Sequence, residues 1–243
     1  MEFEDEAFVV GVRAFGESGA IAEFLTAQRG VWSAHVAGGA SRRLKPFLQP
    51  GTPVRIAYRS RLSDQLGAAR VEAKGEGAAA YFDDPLALAA LAAAAALIVG
   101  ALPEREPHPG IFLAFEAFSG ALDAPEVWPA VLVRFEMGLL AELGFGLDLT
   151  RCAATGGTDE LIYVSPRTGR AVSSAAGEPY RDRLLALPGF LLAAQAGLAP
   201  GDIRAGLALT GHFLQEVVFS ALHRPLPPAR ARLIERLEAA GRL

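Results

Sequence analysis

The residues best equipped for chemistry in this chain are cations. Arg42, Arg43 and Lys45 follow Gly38-Gly39 in a turn-rich stretch, and Arg55, Arg59 and Arg61 recur along the apolar run that comes next. Flexible cations in a loop can follow a chain of phosphates, and guanidinium groups spaced along a strand can do the same. Each phosphate neutralised releases counterions, which gives steep salt dependence and little base preference. Bases can also stack on aromatic or Arg planes. Trp32, Phe47 and Tyr58 are the nearby aromatic residues, although a small barrel needs such large side chains in its interior. A solvated basic face with no ligand is the plainer reading of the same residues, and the scarcity of acids around them weighs against it.

Other reactive constellations are missing. There is no P-loop, and Gly144-Phe145-Gly146 lacks both the third glycine and the preceding strand of a dinucleotide fingerprint. No Gly-x-Ser-x-Gly elbow occurs. His35, His108, His212 and His223 are scattered, and the single Cys152 has no identifiable base. Asp83-Asp84 and Glu104/Glu106 read as helix caps and loop charges, so an enzyme acting on nucleic-acid ends through bound metal finds little support. Cys152-Ala153-Ala154-Thr155 does have the frame of a Cys-x-x-Cys zinc knuckle with Thr in the second ligand position. Ser173-Ser174-Ala175-Ala176 repeats that frame with no Cys at all. Zinc needs four thiolate or imidazole ligands in such a site, so packing is expected to replace the metal, and no cofactor is expected.

The charges are segregated along the chain. The 243 residues carry 23 Lys+Arg and 27 Asp+Glu, a net of −4. Residues 1–28 hold six acids and one base, whereas residues 29–74 hold nine bases against Asp64 and Glu72. Residues 81–150 return to ten acids against two bases. A local basic field on an acidic chain is the pattern of a polyanion-binding module. Met1 to Glu6 is acidic and shows no basic-then-apolar leader, which predicts a cytoplasmic protein.

The elements that must position these residues change character near residue 80. Before it, short strands are expected at Phe8–Phe15, Ala20–Leu25, Val31–Val36, Val54–Arg59 and Leu66–Ala73, punctuated by Gly and Pro. Five such strands suit an OB-fold barrel. Alternation in the fourth turns Val54, Ile56 and Tyr58 inward and Arg55 and Arg59 outward. After residue 80, helices are expected at Pro85–Gly100, Pro109–Leu122 and Pro125–Leu143. Leu86–Leu102 is uncharged but Ala-rich and short for a bilayer, hence a buried helix. A hairpin is expected at 161–173, helical structure from about Leu184 onward with Asp202 capping a helix through Leu222, and a last helix after Pro227-Pro228. The predicted class is α+β: an N-terminal five-stranded OB-fold (1–80), a helical domain (81–150 and 181–243), and a small degenerate zinc-ribbon-like insert (151–180).

Several of these segments resemble one family. Phe8-Val9-Val10-Gly11-Val12-Arg13, Gly16-Glu17-Ser18, Gly38-Gly39-Ala40-Ser41-Arg42-Arg43 and Leu48-Gln49-Pro50-Gly51 are similar to the N-terminal OB domain of the RecO family of DNA repair proteins. Arg134–Gly144, Asp148–Ala153 and Tyr163–Gly169 are similar to the helix entering that family's zinc-binding segment and to the turn between its ligand pairs. The resemblance implies an OB-fold followed by a helical domain, binding of single- and double-stranded DNA, and annealing of complementary strands. It further implies work with RecR, and in some lineages RecF, to load RecA onto single strands covered by the binding protein SSB. The family's docking site for the acidic SSB tail lies in the helical domain, on residues that the resemblance does not single out here. Its Cys-rich members carry Cys at the positions of Thr155, Ser173 and Ala176, so zinc does not transfer. The competing class is a non-enzymatic interaction module whose barrel meets an acidic protein partner.

Overall fold

The computed structural model describes residues 1–62, 65–193 and 196–243; Asp64, counted above among the acids of the basic stretch, lies outside them. Five strands, β1 (Glu2–Phe15), β2 (Gly19–Thr26), β3 (Gly30–Val36), β4 (Pro53–Arg59) and β5 (Gly67–Ala73), close into a barrel of order β1-β2-β3-β5-β4. All neighbours are antiparallel except β3 and β5, which meet in parallel. The OB barrel expected from the strand spacing is therefore present. Val54, Ile56 and Tyr58 are buried in it together with Phe24, Trp32 and Leu48, as alternation requires. Trp32 Nε1 donates to the Arg29 carbonyl at 2.8 Å, and Phe3 stacks on Tyr58 with ring centroids 4.9 Å apart. Trp32 and Tyr58 thus fill the interior, while Phe47 is half-buried.

β1 is longer than its apolar segment suggests. Its first half, Glu2–Phe8, pairs along β4, and its second half pairs along β2. The pairing with β2 begins at Ala7 and carries a bulge between Val9 and Gly11. An extra residue shifts the pleat by one, so Ala7 and Val9 face the core before it, while after it Val12 and Ala14, opposite Ala22 and Ala20, take that face and remain exposed.

The chain divides into two compact units, residues 1–119 with 227–236, and residues 120–226 with 237–243. In the first, the barrel packs against α1 (Pro85–Ala101) and α2 (Pro109–Gly120). Asp84 caps α1, accepting the Leu86 and Ala87 amides at 3.0 Å each, with Pro85 in the first turn. Ala90, Leu91, Ala94, Leu97 and Ile98 are buried, so this is the core helix that its composition implies. No helix among the described residues is long and apolar enough to cross a membrane. Phe112 and Phe115 of α2 pack on Phe8 of β1, with centroids 5.3 and 5.2 Å apart.

The second unit contains α3 (Trp128–Glu142), a three-stranded sheet of order β7-β6-β8 made of β6 (Leu161–Val164), β7 (Ala171–Ser173) and β8 (Leu185–Ala186), a single helical turn α4 (Ser174–Gly177), and α5 (Asp202–Phe213). The last helix, α6 (Pro228–Ala239), buries Leu233 and Leu237.

Three expectations are corrected. α3 starts at Trp128 rather than at Pro125, because the preceding residues form a tight turn in which the Val127 amide donates to the Ala124 carbonyl. Leu184 does not open a helix. Leu185 and Ala186 pair with β6 instead, and Pro188, which lacks an amide and disfavours helix before it, ends the segment. Asp202 does not cap α5. Gly201, at φ +84°, is the residue ahead of the helix, and the Asp202 carboxylate turns back to accept the Ala199 amide at 2.9 Å. After Phe213 the helix widens into a π-turn at Leu214–Phe219.

Candidate nucleic-acid interface

The segment between β3 and β4 is pinned rather than loose. Gly38, at φ +68°, turns the chain, and the Ala40 amide donates to the Ser18 carbonyl in the β1–β2 turn. Ser41 Oγ accepts the Leu44 amide, and a helical turn follows in which Lys45 and Leu48 donate to the carbonyls of Ser41 and Leu44. Leu48 is buried in the barrel core and Leu44 packs against it. Gly51, at φ +90°, returns the chain to Pro53, where a Cβ would lie 2.5 Å from Leu91. The apolar members of the turn thus anchor it, while Arg42, Arg43 and Lys45 are exposed. None of the three forms an ion pair among the described residues.

Beside this turn the barrel mouth keeps a cavity of about 320 Å³, lined by Val12, Ala14, Ala20, Leu48 and Pro50, with Lys45 among its walls. Val12 and Ala14 reach it because the β1 bulge turns them inward. The lining is mostly apolar, with Lys45 and Gln49 as its polar members.

Arg55 and Arg59 stand in a different environment. They face outward on β4 as expected, but β1 lies alongside with its acids in register, Glu2 opposite Arg59 and Glu6 opposite Arg55. Arg59 Nε lies 2.7 Å from Glu2, Arg55 donates to Glu4 at 2.8 Å, and Lys74 pairs with Glu6. On the far side of β4, Arg70 and Glu72 lie 3.6 Å apart. Arg61, beyond the end of β4, is exposed. The six cations singled out in the sequence therefore split into a loop group and a strand group. The structure does not bring Arg55 and Arg59 together with the loop cations as one uncompensated field.

OB-folds commonly engage oligonucleotides across strands 2 and 3. Here Ile21, Leu25 and Val31 on the outer side of those strands are buried. The segment leading into α2 crosses over them, with the Arg105 amide bonded to the Val31 carbonyl at 2.8 Å and Ser33 Oγ donating to Glu104 at 2.6 Å. Burial, reinforced by Glu104 and opposed by Arg13, pushes the Glu23 carboxyl on this side above its usual range. The outer side of β2 and β3 is thus largely covered, whereas the turn at Arg42–Lys45 presents a cluster of exposed cations.

In the second unit the frame of a zinc knuckle is folded without the means to hold zinc. Cys152 is buried, its Sγ accepts the Ser173 amide at 3.3 Å, and hydrogen bonds from Ser173 and Thr155 pull its thiol down to about 6, against the effect of burial. Backbone bonds from Cys152 to Gly157 and from Gly156 to Cys152 close the knuckle turn. The four frame positions offer one sulfur, two hydroxyls and a methyl group. Among the described residues, no three His, Cys, Asp or Glu converge as metal ligands. The residues present do not fit zinc, and hydrogen bonds to a single sulfur take its structural place.

Comparison with known proteins agrees with this architecture. Residues 1–73 match the family model described as Recombination protein O N terminal, and residues 83–225 match Recombination protein O C terminal. The chain is 69% identical over 243 residues to the DNA repair protein RecO of Phenylobacterium zucineum (strain HLK1), covering all of both chains. It is 63% identical to that of Caulobacter sp. (strain K31), again over the whole of both. With that of Rhodospirillum centenum the identity is 51%, over 99% of this chain and 96% of the relative. Barrel, helices and knuckle frame all lie within these matched lengths, and the chain belongs to the RecO family of DNA repair proteins.

Proposed function

We propose that this chain is a non-enzymatic mediator of DNA repair and recombination. It binds single- and double-stranded DNA through the barrel, anneals complementary strands, and works with RecR, and where present RecF, to load RecA onto SSB-coated single strands. The observation that carries the DNA-binding part is the pinned turn that presents Arg42, Arg43 and Lys45 outward with no acid paired to them among the described residues. Phosphate contacts of this kind hold a strand without reading its sequence. Screening phosphate repulsion on two strands while leaving base edges exposed lowers the barrier to pairing. The partner steps rest on family membership.

The test is fluorescence anisotropy of a labelled single-stranded oligonucleotide across a salt series, with annealing followed in the same buffer. Binding that weakens steeply with salt, together with faster annealing, supports the reading. Absence of binding at low salt refutes it and favours a barrel that docks an acidic protein partner.

A further inference from the structure

The outer face formed by β1, β4 and β5 has more acid in it than a binding surface for phosphates should. Alternate residues of a strand share a face, so Glu2, Glu4 and Glu6 stand on the same side as Arg55 and Arg59, with β5 adding Arg70 and Glu72 and then Lys74. Four bases meet four acids there. Three of the contacts cross between strands: Arg59 with Glu2 at 2.7 Å, Arg55 with Glu4 at 2.8 Å, and Lys74 with Glu6. The Lys74 hydrogen bond and charge hold the Glu6 carboxyl below its usual range.

Exposed pairs of this kind contribute little to stability, so fold maintenance does not account for three acids in a row. Their geometry suggests another role. Carboxylates on every second residue repeat at about 6.8 Å along β1. At 0.1 M salt the screening length is about 10 Å, so an approaching phosphate senses the whole face rather than one guanidinium.

We propose that Glu2, Glu4 and Glu6 are specificity-determining residues: they occupy the β4 and β5 cations as intramolecular substitutes for phosphate, and so confine a nucleic-acid strand to the Arg42–Lys45 turn. The proposal rests on the DNA-binding reading above. It assigns the acidic start of the chain a negative role in binding, because removing these acids adds contacts instead of losing them.

The test uses the full chain with Glu2→Gln, Glu4→Gln and Glu6→Gln combined, measured by anisotropy with a labelled single strand over a salt series. Gln keeps the shape and removes the charge. Three released cations at about 0.7 per single-strand contact should steepen the log–log salt slope by about 2 and raise affinity by up to about 100-fold near 0.1 M salt. A control with the same change in net charge at exposed acids away from this face, Asp83→Asn, Glu106→Gln and Glu116→Gln, should leave the slope alone. A row variant with the wild-type slope, or a control that shifts it equally, overturns the proposal. If the triple variant does not fold, Glu4→Gln alone should give about a third of the slope change, and no change overturns the proposal. Wild-type binding that depends on the loop cations, with an unmoved row variant, refutes this inference alone. Failure of both wild type and row variant to bind refutes the DNA-binding reading with it.

Discussion

Two sets of substitutions separate the loop cations from the strand cations. Arg42→Ala, Arg43→Ala and Lys45→Ala together remove three exposed charges from a turn held by backbone bonds and by buried Leu48, so the turn should survive. Three single-strand contacts at about 0.7 each lower the magnitude of the salt slope by about 2. Near 0.1 M salt this is about two decades of affinity, or about 2.7 kcal/mol. Arg55→Ala with Arg59→Ala removes charges that Glu4 and Glu2 already compensate. That variant should change the slope by less than about one contact's worth, roughly 0.7. The assay is anisotropy of one labelled single strand from low to moderate salt, with circular dichroism to verify folding. Equal losses for the two variants would mean that ion pairing across β1 and β4 does not withdraw those arginines from binding. A loop variant with an unchanged slope would sink the assignment of the turn.

Three further outcomes follow from the packing. Asp84→Ala deletes the carboxylate that accepts two amides at the start of α1 and should cost about 1 kcal/mol, read as a melting point roughly 2–4 °C lower by calorimetry; an unchanged melting point would mean water replaces the cap at no cost. Gly30→Ala places a Cβ 1.7 Å from the Glu106 carbonyl oxygen at φ +74°, so beyond the roughly 1–2 kcal/mol of the left-handed conformation the 104–106 crossing must shift, and the urea midpoint should fall well below that of Asp84→Ala. The Cys152 thiol, lowered to about 6 from 9.0 when unfolded, contributes stability that is fully present above the unfolded value, declines as pH falls toward 6 and is lost below it. The urea midpoint of the wild type should therefore gain on that of Cys152→Ala between pH 5.5 and 8.5, and a chelator should move neither; a chelator-sensitive midpoint would contradict the metal-free knuckle.

Elements whose signal is local are read well from the chain itself. In β4, Val54, Ile56 and Tyr58 alternate with Arg55, Ala57 and Arg59, so a period of two fixes both the strand and its faces. In α1, Asp84-Pro85 and an uninterrupted Ala-rich run are enough to place start, type and burial. The hairpin at β6 and β7 follows from its Pro166–Gly169 turn. The misreadings have equally specific causes. β8 is two residues long and Leu-rich, so only its pairing with Tyr163 and Val164 makes it a strand. The π-turn after Phe213 has no period that a sequence window detects. The first half of β1, where Glu2, Glu4 and Glu6 alternate with Phe3, Asp5 and Ala7, hides its strand character behind acidity.

That last case explains why the candidate interface was only half legible. Dividing the chain by position placed six acids in residues 1–28 and nine bases in residues 29–74, as though the two were separate fields. Strand pairing sums charge across register instead of along the chain, and Glu2 lies opposite Arg59 despite the length of sequence between them. A cation on a strand therefore inherits the charges of its neighbours on both sides, which no window along the sequence contains. A cation in a turn has no ladder partner to inherit from, so its local composition is also its spatial composition. The same reasoning applies to apolar residues: Val12 and Ala14 line the mouth only because one extra residue after Val9 inverts the pleat. Where a binding surface is built from strands, register has to be known before charge is counted; where it is built from a pinned turn, the sequence suffices.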